Sequence, residues 1–399
     1  MNPTLDLSDL PVVDAHCHSY LETPKVLSAE ELARHASLAV QPDFLDGKFS
    51  PSEGRIRSSR NRLSTMYNEQ PFLIHMIRLL SSHFQCNPDL QIVARTRSAR
   101  AQDFDDYVRE LFRNAQIRGL VVDGGYPALS EDDMIRFPAK AVRVFRLETF
   151  INELLTQHNS FQEFCSAYEL GIREAILQRG YIGLKSIIAY RTGLEIQRVE
   201  SDEAQKDFLA AKDGHAELAW FGPKVKKLRD FLFVHALELS IDLNVPMQVH
   251  TGVGDYDIVL DQCDPSSMYD LLKDEQLRYA TVILIHSGFP HNQNAAFMAS
   301  VLPNVFLDFS LTIPFLNPVG HERLMEILQI APSSKIMYGS DGFNLPELIW
   351  MGAKVGKKTL GRCLGALVQE DLFDEEEANR IARRIMFENA NELYSLGLS

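Results

Sequence analysis

What most constrains this chain is a rhythm in which short apolar runs, each closing on a turn-forming or polar residue, alternate with longer amphipathic stretches. Eight runs stand out: "PVVDAH" (11–16), "IRGLVVDGG" (117–125), "AVRVFRLET" (141–149), "YIGLKSIIA" (181–189), "VPMQVHTG" (245–252), "ATVILIHSG" (280–288), "PNVFLDFS" (303–310) and "SKIMYGSDG" (334–342). Near-continuous Val, Ile and Leu over a few residues marks parallel strands buried on both faces, because a half-exposed strand alternates apolar with polar. Segments with helical spacing lie between them, among them "EFCSAYELGIREAILQRG", "KVKKLRDFLFVHALELSIDLN" and "NQNAAFMASVL". Strand then helix, eight times over, predicts an α/β fold of the (β/α)8 TIM-barrel class. A final helix is expected within "DLFDEEEANRIARRIMFENANELY", where acids come first and bases follow, as the helix dipole prefers.

The rhythm breaks once, between the first and second runs. There "SAEELARHA", the Arg-rich "GRIRSSRNRLSTMYNEQ" and "PFLIHMIRLLSSHF" predict a helical insertion over about residues 21–115. It follows the first strand, so it opens on the face where barrel enzymes carry their active sites, as a lid or specificity wall or as an oligomer contact. No repeat or linker marks a second domain, and residues 1–399 read as one barrel whose 45% hydrophobic content is ample for a core.

Forty basic residues against 54 acidic ones give a net charge of −14, which argues against a nucleic-acid backbone or an anionic membrane surface as partner. No stretch reaches the length of apolar sequence that a membrane span requires, and the first residues lack a basic leader. The five cysteines are scattered singly, as reduced thiols are. The expectation is a cytoplasmic enzyme acting on a small molecule, as a homo-oligomer.

Chemistry gathers at the strand ends. Side chains two apart on a strand share a face, which predicts that Asp14, His16 and His18 all point into the barrel mouth. Lys185, His250, His286 and Asp341 end four other runs. Neutral imidazoles and a carboxylate suit Zn²⁺ first, and Mn²⁺ or Fe²⁺ as well, with a metal-activated water as nucleophile and Asp341 as its base. Lys185 has no lone pair to give while it is an ammonium ion. It fits either as a carbamate bridging two ions or as a cation that binds substrate or pairs with Asp341. Arg191, with Tyr190 beside it, is placed to hold a substrate carboxylate in a two-pronged bond, and Asp255 and Asp257 lie on the loop after the fifth strand. Arg146 and Glu148 share a face and are expected to pair. Cys17 faces away from its histidine neighbours and is read as packing.

The motifs "DAHCH", "GLKSIIAYRTGLE", "QVHTGVGDYD", "LIHSGFP" and "YGSDG", taken in order, resemble the amidohydrolase superfamily. The similarity is greatest to the amidohydrolase-2 branch, which includes the amidohydrolase domain of nodulin/glutamine synthetase-like proteins. The resemblance implies a metal-dependent barrel hydrolase holding one or two divalent ions. His16, His18 and His250 would be ligands, Asp341 ligand and base, His286 a ligand or a transition-state contact, and Lys185 a bridging carbamate. Cleavage of an amide or related C–N bond in a small carboxylated substrate is the expected reaction, and decarboxylation or C–C lysis by the same ligands the alternative.

Overall fold

The eight apolar runs become eight parallel strands paired in chain order. They are β1 (Val12–His18), β2 (Ile117–Asp123), β3 (Lys140–Arg146), β4 (Tyr181–Ser186), β5 (Met247–His250), β6 (Val282–Ile285), β7 (Val305–Asp308) and β8 (Ile336–Met337). The structure, a computed structural model, describes residues 4–20, 26–37, 65–125, 136–212 and 225–399. Regular strand ends earlier than the apolar run in β4, where Ile188–Tyr190 already form a 3₁₀ turn. The ring closes beyond β8 through backbone bonds from Ala15 N to Tyr338 O (2.9 Å), Asp341 N to His16 O (2.8 Å) and His18 N to Gly342 O (2.8 Å). This is a (β/α)8 barrel.

Alternation along each strand sorts its side chains. On β6, Val282 and Leu284 face the surrounding helices, whereas Ile283 and Ile285 join Val13, Ala15, Val121, Val144 and Met337 inside the ring. The C-terminal segment fills the lower end, with Phe387, Ala390, Tyr394 and Leu396 in that same interior cluster. Gln248 ties it there, its Nε2 donating to both Ala15 O and Tyr394 Oη at 2.8 Å. With its lower end filled largely by apolar side chains, the barrel is open for chemistry at the C-terminal ends of its strands.

Helices Phe161–Leu177, Lys226–Asp242 and Asn292–Val301 form where helical spacing places them. The acid-first helix is Glu375–Arg383, begun by a capping box between Asp374 and Glu377. The helices between β1 and β2 include Ala29–Ala36, Pro71–Phe84, Leu90–Arg100 and Phe104–Ala115. The last packs on β2 and on the long helix Pro346–Gln369, as an ordinary barrel helix does. The others rise on the catalytic side, where the Phe72 and Phe315 rings meet at 5.9 Å beside the loop after β7. Arg97 locks this group down through a buried ion pair with Glu347 (2.6 Å), whose Oε1 also accepts from Tyr107 Oη (2.8 Å). The arginine cluster at 55–62 lies outside the described residues.

Candidate metal centre

Simple alternation would fail to build this site. Val13 and Ala15 face the interior, so a regular β1 would turn His16 away from it. The β1–β2 ladder instead shifts register between Asp14 and Cys17. That irregularity brings His16 and His18 to the mouth and leaves Cys17 in the outer core. Asp14 does not join them, contrary to the shared-face expectation. Its Oδ1 accepts backbone N–H groups of Ser340 (2.8 Å) and His16 (3.3 Å), fastening β1 to the segment that follows β8.

Because Asp341 N is bonded to His16 O, the Asp341 carboxylate is delivered between the two imidazoles. Its Oδ1 stands 3.2 Å from His16 Nε2 and 3.3 Å from His18 Nε2. His16, His286 and Asp341 each bring a ligand atom within 4.8 Å of the others. His250 stands next to them, its ring centroid 4.5 Å from that of His286 and 4.4 Å from that of Tyr190. Lys185, almost fully buried, points its Nζ at His16 Nε2 (3.3 Å), with Asp123 Oδ2 at 3.9 Å. Asp341 and His286 both adopt left-handed backbone, with φ of 59° and 67°. Such conformations cost about 1–3 kcal/mol each and persist where surrounding bonds fix them.

The electrostatics follow from burial. Loss of water lowers His16 to about 4 and holds His250 and His286 well below the ordinary histidine value, so all three are neutral at pH 7. Burial pushes the Asp341 carboxyl up, but the surrounding imidazoles, His286 foremost, outweigh it and keep the group well below the usual carboxylate range. Lys185 is brought down to about 8 by burial, partly opposed by Asp123. Buried atoms without hydrogen-bond partners include Asp341 Oδ1 and His250 Nε2. Neutral imidazoles, an ionised carboxylate and unbonded acceptor atoms are the donor set a divalent cation takes, and a poor arrangement without one. These residues fit a metal ion.

A family model described as Amidohydrolase matches residues 220–396, the part of the chain that holds His250, His286 and Asp341. Protein fluG of Emericella nidulans is 25% identical over 97% of this chain, which spans 46%, about half, of that curated relative's length. The chain is amidohydrolase-like. In fold, this amidohydrolase-like barrel is similar to a Lactobacillus casei protein described as a metal-dependent hydrolase (TM-score 0.81, 22% identity, 98% of both chains). It is also similar to a uronate isomerase of Bacillus halodurans (TM-score 0.66, 13% identity, 98% of this chain and 94% of that one). No described helix is long and apolar enough to cross a membrane.

Around the amidohydrolase-like centre the predicted substrate residues sit on the rim, in different states. Tyr190 is buried, and its Oη accepts from Asp255 N at 3.1 Å. Asp255 itself is exposed. Arg191 is buried in an ion pair with Asp257 (3.2 Å) and also donates to Tyr190 O (3.1 Å), so its charge braces the loop. Arg146 pairs with Asp123 on the neighbouring strand at 2.5 Å. Glu148 instead accepts from Ser186 Oγ (2.7 Å), which corrects the expected Arg146–Glu148 pair. Glu148 opens a helix rather than ending β3, and the change of period turns it away from Arg146.

Asp123 and Asp308 were not singled out in the sequence, yet both are fully buried at strand ends near the centre. Arg146 and Lys185 hold Asp123 below the ordinary carboxylate range against the upward pull of burial, whereas burial leaves Asp308 at about 6. Their signal was available. "LVVDGG" and "VFLDFS" end apolar runs on an acid just as "QVHTG" ends on a histidine.

Proposed function

We propose that this protein is a metal-dependent hydrolase that cleaves an amide or related C–N bond in a small, polar, carboxylate-bearing molecule. The observation that supports this reading is the meeting of neutral His16 and His286 with ionised Asp341, and of His18 with the same Asp341 oxygen, at the catalytic end of the barrel. His16, His18, His286 and Asp341 would hold a divalent cation, zinc by preference, with His250 alongside. Bound there, the ion would supply Lewis acidity toward a carbonyl oxygen and toward water.

The chain's own residues carry the proton. Asp341, kept ionised by the rings around it, accepts a proton from the attacking water and returns it to the departing nitrogen. Arg191 serves by fixing the loop after β4 against Asp257, and Tyr190 by backing His250, while exposed Asp255 meets polar groups of the substrate at the rim. Lys185, at about 8, is close enough to neutral to add CO₂ with loss of a proton to solvent, and its carbamate would supply anionic oxygens suited to a second ion. The enzyme would work in the cytoplasm, as a homo-oligomer.

One observation favours a second reading, decarboxylation or C–C lysis. At pH 7 an uncarbamylated Lys185 is mostly ammonium, a buried cation at the centre suited to holding a substrate carboxylate. The deciding experiment is metal analysis of the purified protein, the mass of the Lys185 peptide, and product detection on panels of amides and aromatic acids. Ammonia or amine release with one or two bound ions is the expected result, and CO₂ release selects the second reading. Full activity after exhaustive chelation overturns both.

A further inference from the structure

Three alternate residues that end β7 and follow it grip three different groups of one histidine. Asp308 Oδ1 accepts from His286 N at 3.0 Å, Ser310 Oγ lies 2.8 Å from His286 Nδ1, and Thr312 Oγ1 donates to His286 O at 2.7 Å. The next residue is tied down as well, with Ser287 Oγ donating to Asp308 O and Asn292 Nδ2 donating to Ser287 O. All five side chains are buried. His286 and Ser287 both have left-handed backbone, and this clasp is what holds them there.

Counting hydrogens settles the ring. Ser310 Oγ is 2.5 Å from Asp308 Oδ1, the oxygen that also accepts from Ser310 N at 2.9 Å. That oxygen already accepts the backbone hydrogens of His286 and Ser310 and so has none to give, and the single hydroxyl hydrogen of Ser310 goes to Asp308. Ser310 Oγ then faces His286 with a lone pair and accepts from Nδ1–H. A neutral imidazole has only one N–H, so Nε2 is left bare. We infer that Asp308, Ser310 and Thr312 are positioning residues that lock His286 in the Nδ1–H tautomer and keep its Nε2 unprotonated for the centre. The use of that bare nitrogen rests on the metal reading above. The tautomer itself belongs to the protein with or without an ion.

The test is a two-bond ¹H–¹⁵N correlation spectrum of the full chain with ¹⁵N-labelled histidine, metal removed, at pH 8, with His286 assigned through His286→Gln. Wild type is expected to show Nδ1 protonated and Nε2 bare. Ser310→Ala moves the hydrogen wholly or partly to Nε2 and weakens Zn²⁺ binding in a chelator competition by about 10- to 100-fold, and Ser310→Thr, which keeps the hydroxyl, restores both. A wild-type His286 with its hydrogen on Nε2 overturns the inference, whether or not any variant folds. So does a folded Ser310→Ala that keeps both the Nδ1–H form and wild-type Zn²⁺ affinity. If the Nδ1–H form is found but wild type binds no metal, the metal reading fails and the inference stands.

Discussion

At the residue scale, the site depends on groups held in uncommon states by burial. Asp14 is the clearest case outside the cluster itself, because loss of water raises its carboxyl to about 8 while Oδ1 serves two backbone N–H groups. Below about pH 8 it is therefore a neutral acid, and Asn has the same shape and acceptor. Asp14→Asn should stay within about 1 kcal/mol of wild type near pH 4, where the unfolded carboxyl is also largely neutral, whereas Asp14→Ala, which strands buried donors, should lose about 1–3 kcal/mol for each. The sign of the pH effect follows. A raised carboxyl contributes stability that is complete below the ordinary value of 3.8 and is lost as pH climbs through 8. Urea unfolding from pH 4 to 8 should show wild type losing ground to Asp14→Asn by at most about 1.4 kcal/mol per pH unit. An unchanged gap would mean that Asp14 is ionised in the folded protein.

At the scale of single elements, two contacts decide where the catalytic loops sit. The loop after β5 passes so close to the centre that a Cβ on Gly254 would overlap Tyr190 Oη and come within 2.8 Å of His250 Nε2. Gly254→Ala should cost about 1–3 kcal/mol in thermal or denaturant unfolding, as overpacking does. Adding Tyr190→Phe removes the atom struck first, so the double variant should be less destabilised than the sum of the two singles. Full additivity would show that the loop swings aside instead. On the opposite side, Arg97→Met leaves buried Glu347 without its cation and should cost about 3–5 kcal/mol. Combining it with Glu347→Leu should recover much of that loss, since two apolar side chains replace the broken pair.

At the scale of the whole molecule, the barrel joins candidate ligands from β1, the turn after β6 and the segment after β8, so an ion bound there should stabilise the entire fold. Zn²⁺ at a hundred times its dissociation constant should add about 2.7 kcal/mol, read as a rise in Tm that chelation reverses and that His16→Ala or Asp341→Asn abolishes. The order of strands and helices was legible in the chain, because burial on both faces writes itself as apolar runs and helix burial as a 3.6-residue period. So was the list of strand-end histidines, Lys185 and Asp341, which needs only their positions. The pairing of Arg146 with Asp123, the bracing of Arg191 by Asp257 and the β7 clasp on His286 were not, since each joins residues far apart in sequence whose distances no local pattern encodes. The register break in β1 is the sharpest instance. Sequence alternation put Asp14 beside His16 and His18, and only the closure of the ring against the segment beyond β8, with its own demand for backbone hydrogen bonds, turned the two histidines to the mouth and kept Asp14 in the wall.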